Sequence, residues 1–200
     1  MTTEAPTKFS QYDEELHILA HTPETGTFLD IGAWHPKQFS NTRALYEKGW
    51  RGVMIEPSPI PFDSLLREYG NDERITLICG AVGPERLLAK IHATADAVST
   101  MSEGVHDTWK NAGGYYGSFY TPIITLRELF NQFGGAFEFV NIDAEGLSVD
   151  LLHAMLEIGL RPQCICCEHD GRLTEVIRAS ADNGYRIVHE NGTNAILVRN

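Results

Sequence analysis

The sequence predicts an α/β protein: a mostly parallel, seven-stranded sheet with helices on both faces and an antiparallel hairpin at the C-terminal end. Three observations predict it. Apolar, strand-like runs alternate with helix-like stretches along most of the 200 residues, the pattern of a sheet covered on both sides. Two early runs, Thr27-Phe28-Leu29-Asp30-Ile31-Gly32 and Val53-Met54-Ile55-Glu56, each close on an acid, one strand–helix–strand unit apart. Such a unit binds ligands in the crevice at the carboxyl ends of its strands. The last two runs are separated only by Glu190 to Asn194. That is too short for a helical crossover, so they pair antiparallel.

Taken in order, residues 1–24 read as a helical element ahead of the first strand, Thr27–Ile31. A helix over Asn41–Lys48 follows, with Ser40 and Asn41 as N-cap residues. Next come a strand over Gly52–Glu56, a helix over Pro61–Tyr69 and a strand over Ile75–Ala81. Thr125-Leu126-Arg127-Glu128 is a capping box opening a helix over Leu126–Phe133. The strand Glu138–Asp143, the helix Ser148–Ile158, the strand Gln163–Glu168, the helix Arg172–Asn183 and the strands Tyr185–His189 and Ala195–Val198 complete the pattern. Residues 89–120 interrupt it, with Gly104, Gly113, Gly114 and Gly117 set among Trp109, Tyr115, Tyr116, Phe119 and Tyr120. That stretch reads either as a mobile lid over the ligand edge or as an insertion packed on its own aromatics. Residues 1–200 are expected to form one domain.

Composition excludes several partners. Lys+Arg 16 against Asp+Glu 27 gives a net charge of −11, without the basic footprint that nucleic acid requires. No apolar run reaches membrane-spanning length. The first ten residues lack a basic stretch followed by an apolar one, so no secretory signal is expected and the location is expected to be cytoplasmic. Of four cysteines, Cys164, Cys166 and Cys167 crowd one apolar segment beside His169. Alternation sets Cys167 on the face opposite Cys164 and Cys166, which argues for buried thiols and against zinc.

Three strand ends carry candidate chemistry. Asp30-Ile31-Gly32-Ala33 offers one glycine where a dinucleotide fold wants Gly-x-Gly-x-x-Gly, so a pyrophosphate lacks its cradle. A cofactor without phosphates, such as S-adenosylmethionine, needs only close backbone approach and a few polar contacts. Glu56 is placed to accept from both ribose hydroxyls, with Pro57 and Ser58 bordering them and Gly80-Ala81-Val82-Gly83 as a surface for adenine. Asp143 and Glu145 end the strand preceded by Phe137, Phe139, Val140 and Ile142. They can raise one another's pKa, and can take a hydroxyl proton or hold a divalent cation. No metal is assigned. His169, in Glu168-His169-Asp170, is a second candidate base, as is His35 beside the first loop.

With these residues in view, the chain resembles the FkbM family of S-adenosylmethionine-dependent methyltransferases. The likeness runs from Phe9 to Glu168 through Ser10-Gln11-Tyr12-Asp13, Phe28-Leu29-Asp30-Ile31-Gly32-Ala33, Phe39-Ser40-Asn41-Thr42, Lys48-Gly49-Trp50-Arg51-Gly52, Ile55-Glu56-Pro57, Ile124-Thr125-Leu126 and Asp143-Ala144-Glu145-Gly146. The resemblance implies a Rossmann-like class I methyltransferase fold and methyl transfer, usually to a hydroxyl of a small molecule or sugar. It implies cofactor contacts at Asp30, Gly32 and Glu56, and also at Gln11, Ser40, Asn41 and Ala81. Trp34 departs from it, standing where many relatives have a small polar residue. The competing readings are a nicotinamide-dependent oxidoreductase and a cofactor-binding protein without turnover.

Overall fold

The computed structural model describes residues 8–94 and 115–200. Its elements are α1 (Glu14–His21), β1 (Thr27–Ile31), α2 (Arg43–Glu47), β2 (Arg51–Glu56), α3 (Pro59–Tyr69), β3 (Ile75–Cys79), β4 (Ala81–Gly83), β5 (Leu88–Thr94) and β6 (Tyr115–Thr125). They continue with α4 (Leu126–Phe133), β7 (Phe139–Ile142), α5 (Ser148–Glu157), β8 (Cys164–Glu168), α6 (Leu173–Asp182), β9 (Tyr185–Glu190) and β10 (Asn194–Arg199). Seven strands form one sheet in the order β3-β2-β1-β7-β8-β10-β9. The first five run parallel, and β10 inserts antiparallel between β8 and β9. The expected mostly parallel sheet with an antiparallel C-terminal pair is therefore present. The winding reverses between β1 and β7, which opens a crevice at their carboxyl ends.

Strand alternation builds a core on each face. Leu29, Ile31, Val53, Ile55, Val140, Ile142, Ile165, Cys167 and Leu197 face α4, α5 and α6. Phe28, Met54, Phe139, Cys164, Cys166, Ile196 and Val198 face the other way, against Ile18, Leu45, Trp50 and Leu65. The cysteines divide between the faces as alternation requires, and burial pushes the Cys164 thiol up to about 12. Trp50 is fully buried and donates its ring N–H to the carbonyl of Glu24 at 3.2 Å.

Three expectations change. The strand expected over Ile75–Ala81 breaks at Gly80, so Ala81–Gly83 leaves the main sheet and pairs with β6 in a second, three-stranded sheet ordered β4-β6-β5. The flanks of the stretch read as a lid or a packed insertion are strands of that sheet: β5 and β6 pair antiparallel from Leu88↔Pro122 to Thr94↔Tyr115. The remainder of that stretch, residues 95–114, lies outside the described residues. The helix expected from Asn41 begins only at Arg43, because Asn41 and Thr42 turn their side chains into the protein. Thr42 holds the N-cap position in place of Ser40, whose hydroxyl accepts from the Arg43 N–H at 3.1 Å. The Thr125–Glu128 capping box forms as read. Among the described residues, no helix is long and apolar enough to cross a membrane.

Gly32 sets the tightest backbone approach at the crevice. Its φ is +82°, and a Cβ there would stand 1.7 Å from the Asp143 carbonyl oxygen. Gly32→Ala is expected to lower unfolding stability by about 3 kcal/mol or more, combining left-handed strain with displacement of β7. Urea unfolding checks this, and a change within about 0.5 kcal/mol would contradict the close packing described here.

Candidate active site

A cavity of about 370 Å³ opens at the carboxyl ends of β1, β2, β7 and β8, within the size range of small-molecule sites. Gln11, Asp30, Gly32, Ala33, Ser40, Asn41, Glu56, Pro57, Ser58, Ala81, Asp143 and Glu145 all line it. These cofactor-site residues thus converge on one place, together with Asp143 and Glu145 of the four candidate catalytic groups.

Asp30 anchors the floor. Only 2% exposed, it accepts from the Thr42 hydroxyl at 2.6 Å and from Asn141 Nδ2 at 2.9 Å. Asn41 Nδ2 donates in turn to Asn141 Oδ1 at 3.0 Å, while Asn41 Oδ1 is buried with no hydrogen-bond partner among the described residues. Burial raises the Asp30 pKa and the two hydrogen bonds oppose that rise. Glu56, 4% exposed, accepts the Ser58 N–H at 2.7 Å on one oxygen and the Trp34 N–H at 3.0 Å on the other. Each oxygen keeps acceptor capacity for a ligand. Burial pushes this carboxyl up to about 7, with Asp143 adding repulsion. Trp34 and Phe39 hold positive φ values of 44° and 55° and stack at 5.7 Å on the rim. Backbone strain of this kind gathers at ligand sites.

Acids crowd the opposite end. Asp143, Glu145 and Glu168 each bring one carboxylate oxygen within 4.8 Å of the other two. Burial is the first cause that raises all three; repulsion from Asp143 adds to it at Glu145 and Glu168, and repulsion from Asp30, Asp170 and Glu14 at Asp143. The mutual contact of Asp143 and Glu168 lowers Asp143 and raises Glu168. Asp143 stands at about 7 and Glu145 at about 8. Neither Asp143 nor Glu168 forms an ion pair with a Lys or Arg among the described residues.

His169 does not join them. It is buried outside the cavity lining, its Nε2 donates to the Asn191 carbonyl at 3.0 Å, and its Nδ1 accepts the Gly171 N–H at 3.3 Å. Its lone pair is engaged inside its own loop, so the structure does not bring His169, expected as a second candidate base, into the cavity. His35 likewise spends Nδ1 on the N–H groups of Lys37 and Gln38. Sequence reasoning missed Thr42, Asn141, Glu168 and Asn194. Strand parity was the signal for Glu168, which shares a face with Cys164 and Cys166 while His169 points the other way.

With this geometry in hand, comparison with known proteins is informative. The family model described as "Methyltransferase FkbM domain" matches residues 30–187. A protein in the NADB-Rossmann superfamily from Streptococcus agalactiae superposes with a TM-score of 0.52 at 12% identity, over 98% of this chain and 71% of its own. The precorrin-6y C5,15-methyltransferase of Geobacter metallireducens superposes with a TM-score of 0.50 at 12% identity, over 98% of this chain and 90% of its own. At such identities the likeness concerns the fold. No curated protein matches the chain in sequence.

The acid cluster has a consequence for stability. A carboxyl whose folded pKa exceeds its unfolded value stabilises the fold fully below the unfolded value, and that contribution disappears as pH rises through the folded one. For Glu145 the window runs from 4.5 to about 8. Glu145→Gln, which cannot ionise, is therefore expected to match the parent near about pH 4 and to exceed it by about 1–2 kcal/mol near pH 9, after discounting for solvent screening. Urea unfolding in metal-free buffer at both pH values checks this. A difference that does not depend on pH would contradict it.

Proposed function

Because the chain belongs to the FkbM methyltransferase family, we propose that it is an S-adenosylmethionine-dependent methyltransferase acting on a hydroxyl of a small molecule or sugar. One observation carries the cofactor reading. The described cavity lining contains five carboxylates, Asp30, Glu56, Asp143, Glu145 and Glu168, and no Lys or Arg. Such a lining suits a cationic, phosphate-free cofactor and opposes the pyrophosphate of a nicotinamide dinucleotide.

The residues present fit that cofactor. Glu56 would hold the ribose hydroxyls, since both its oxygens are fixed by backbone N–H groups and retain acceptor capacity. Asn41 Oδ1, a buried acceptor with no partner among the described residues, would take an N–H of the amino-acid portion. Gly80, Ala81 and Val82 supply a small apolar wall for adenine. When bound, S-adenosylmethionine supplies an electrophilic methyl group on a sulfonium. The protein's own contribution is then to position the acceptor and remove its proton.

Asp143 is the group placed for proton removal. Its pKa near 7 puts its basicity at working pH, and Glu168 contacts its carboxylate. The net charge of −11 and the acidic lining support a neutral acceptor over a polyanion such as nucleic acid.

Calorimetry with S-adenosylmethionine or its demethylated product is expected to give saturable binding, and NAD none. Glu56→Ala is expected to weaken binding by about 1.5–3 kcal/mol, the scale of charge-assisted hydrogen bonds. Saturable binding of NAD alone would overturn the cofactor reading. For the base, Asp143→Asn is expected to leave cofactor affinity within about twofold and to cut turnover by about 10²–10⁴-fold. Parental turnover is expected to rise with pH through about 7 as Asp143 ionises. Full activity of Asp143→Asn on an accepted substrate would remove Asp143 from that role.

A further inference from the structure

Tyr69 is not among the residues that line the cavity, and yet it bears on it. We propose that Tyr69 is a positioning residue for cofactor binding: its hydroxyl clamps the loop between β1 and α2, and that loop holds Glu56 in place for the ribose. The proposal rests on the methyl-transfer reading, in which Glu56 takes the ribose hydroxyls.

The loop reaches across to the end of β2. The Gly32 and Ala33 N–H groups donate to the Ile55 carbonyl at 3.0 and 3.1 Å, and the Trp34 N–H donates to Glu56 at 3.0 Å. Trp34 and Phe39 both hold positive φ, and both are bulky. Residues of that size keep such a backbone only where their surroundings over-determine it. If the constraint is lifted, the loop relaxes and the Trp34 N–H moves with it.

The constraint acts between the two strained positions. Pro36 is buried, so its carbonyl needs a donor in place of water. Tyr69, fully buried at the end of α3, supplies one: its hydroxyl donates to the Pro36 carbonyl at 2.8 Å. The same oxygen accepts from Arg43 Nη1 at 3.2 Å. Arg43 is fixed in turn, donating to Glu68 at 2.7 Å and to Glu47 at 2.8 Å, with its guanidinium 5.0 Å from the Tyr46 ring centroid. Glu68 also pairs with Lys37 at 3.0 Å, one residue beyond Pro36. The far end of the loop is tied by the Ser40 N–H, which donates to the Phe9 carbonyl at 3.1 Å.

Pro36, Arg43 and Glu68 are likewise absent from the described lining, whereas Trp34, Phe39 and Glu56 belong to it. The clamp therefore reaches a ligand only through the residues it holds. A phenyl ring would keep the edge contact with Tyr46, 4.8 Å between centroids. What the hydroxyl adds is the hold on Pro36.

Tyr69→Phe tests this, because it removes the hydroxyl and keeps the ring. Calorimetry with S-adenosylmethionine on the folded variant is expected to give an affinity about three- to tenfold weaker than the parent's, the scale of one lost hydrogen bond. In a Glu56→Ala background the same substitution is expected to change affinity by less than about 1.5-fold, since the clamp acts through Glu56. A purely structural hydrogen bond would lower unfolding stability and leave the affinity of the folded protein alone. Equal weakening in both backgrounds, or none in either, would overturn the proposal. Hydrogen exchange at the Trp34 amide without ligand separates the clamp from the reading beneath it. Tyr69→Phe is expected to speed that exchange by about tenfold or more, and an unchanged rate would also overturn the proposal. If the parent binds no S-adenosylmethionine, the methyl-transfer reading fails, and exchange still decides whether Tyr69 holds the loop. Should Tyr69→Phe fail to fold, Glu68→Gln, with a partly exposed side chain, carries the same measurements. Its expected weakening is about two- to threefold, and parental affinity with parental exchange would overturn the proposal.

Discussion

The structure hangs on one buried carboxylate. Asp30 lies in the middle of the sheet, where the winding reverses, and it is almost wholly removed from water. Such a group is tolerated only if hydrogen bonds replace its hydration. Thr42 and Asn141 provide them, and Asn41 extends the chain through Asn141. Those bonds tie β1, the loop before α2 and β7 into one unit. They also explain why α2 starts late: Asn41 and Thr42 serve Asp30 and Asn141 instead of the helix.

From that anchor the rest of the cavity follows. β7 lies against β1 closely enough that Gly32 touches the Asp143 carbonyl, which delivers Asp143 to the cavity. On the other side, the loop after β1 turns Trp34 so that its N–H fixes Glu56. Two carboxylates are thus held by backbone geometry that starts at the end of β1. Farther out, acids accumulate at the ends of β7 and β8 without compensating ion pairs at Asp143 or Glu168 among the described residues. This arrangement costs folding stability and is therefore a signature of function.

Much of this was legible in the sequence. The ends of β1, β2 and β7 were marked by Asp30, Glu56 and Asp143, because an apolar strand that stops on an acid is a local pattern. The terminal antiparallel pair was legible from the five residues between its strands. What escaped depended on non-local pairing. Asn141 sits inside an apolar strand, and its role appears only when β7 lies beside β1. Asn194 matters because β10 registers against β8 at Glu168. His169 was marked by its residue type, and the structure leaves it outside the cavity lining. The β5–β6 pair was missed because glycines and aromatics masked its alternation.

The bond between Asn194 and Glu14 joins residues 180 positions apart in sequence. During vectorial synthesis the N-terminal segments emerge first, yet the wall containing Asn194 waits for β10 to slot between β8 and β9. Long-range closure of this kind slows folding. A nascent chain that has made Asp30 and Glu56 therefore holds half a crevice with nothing to close it. The cavity closes only once β10 has been made and paired, so shorter translation products would be exposed to proteolysis before they could bind anything.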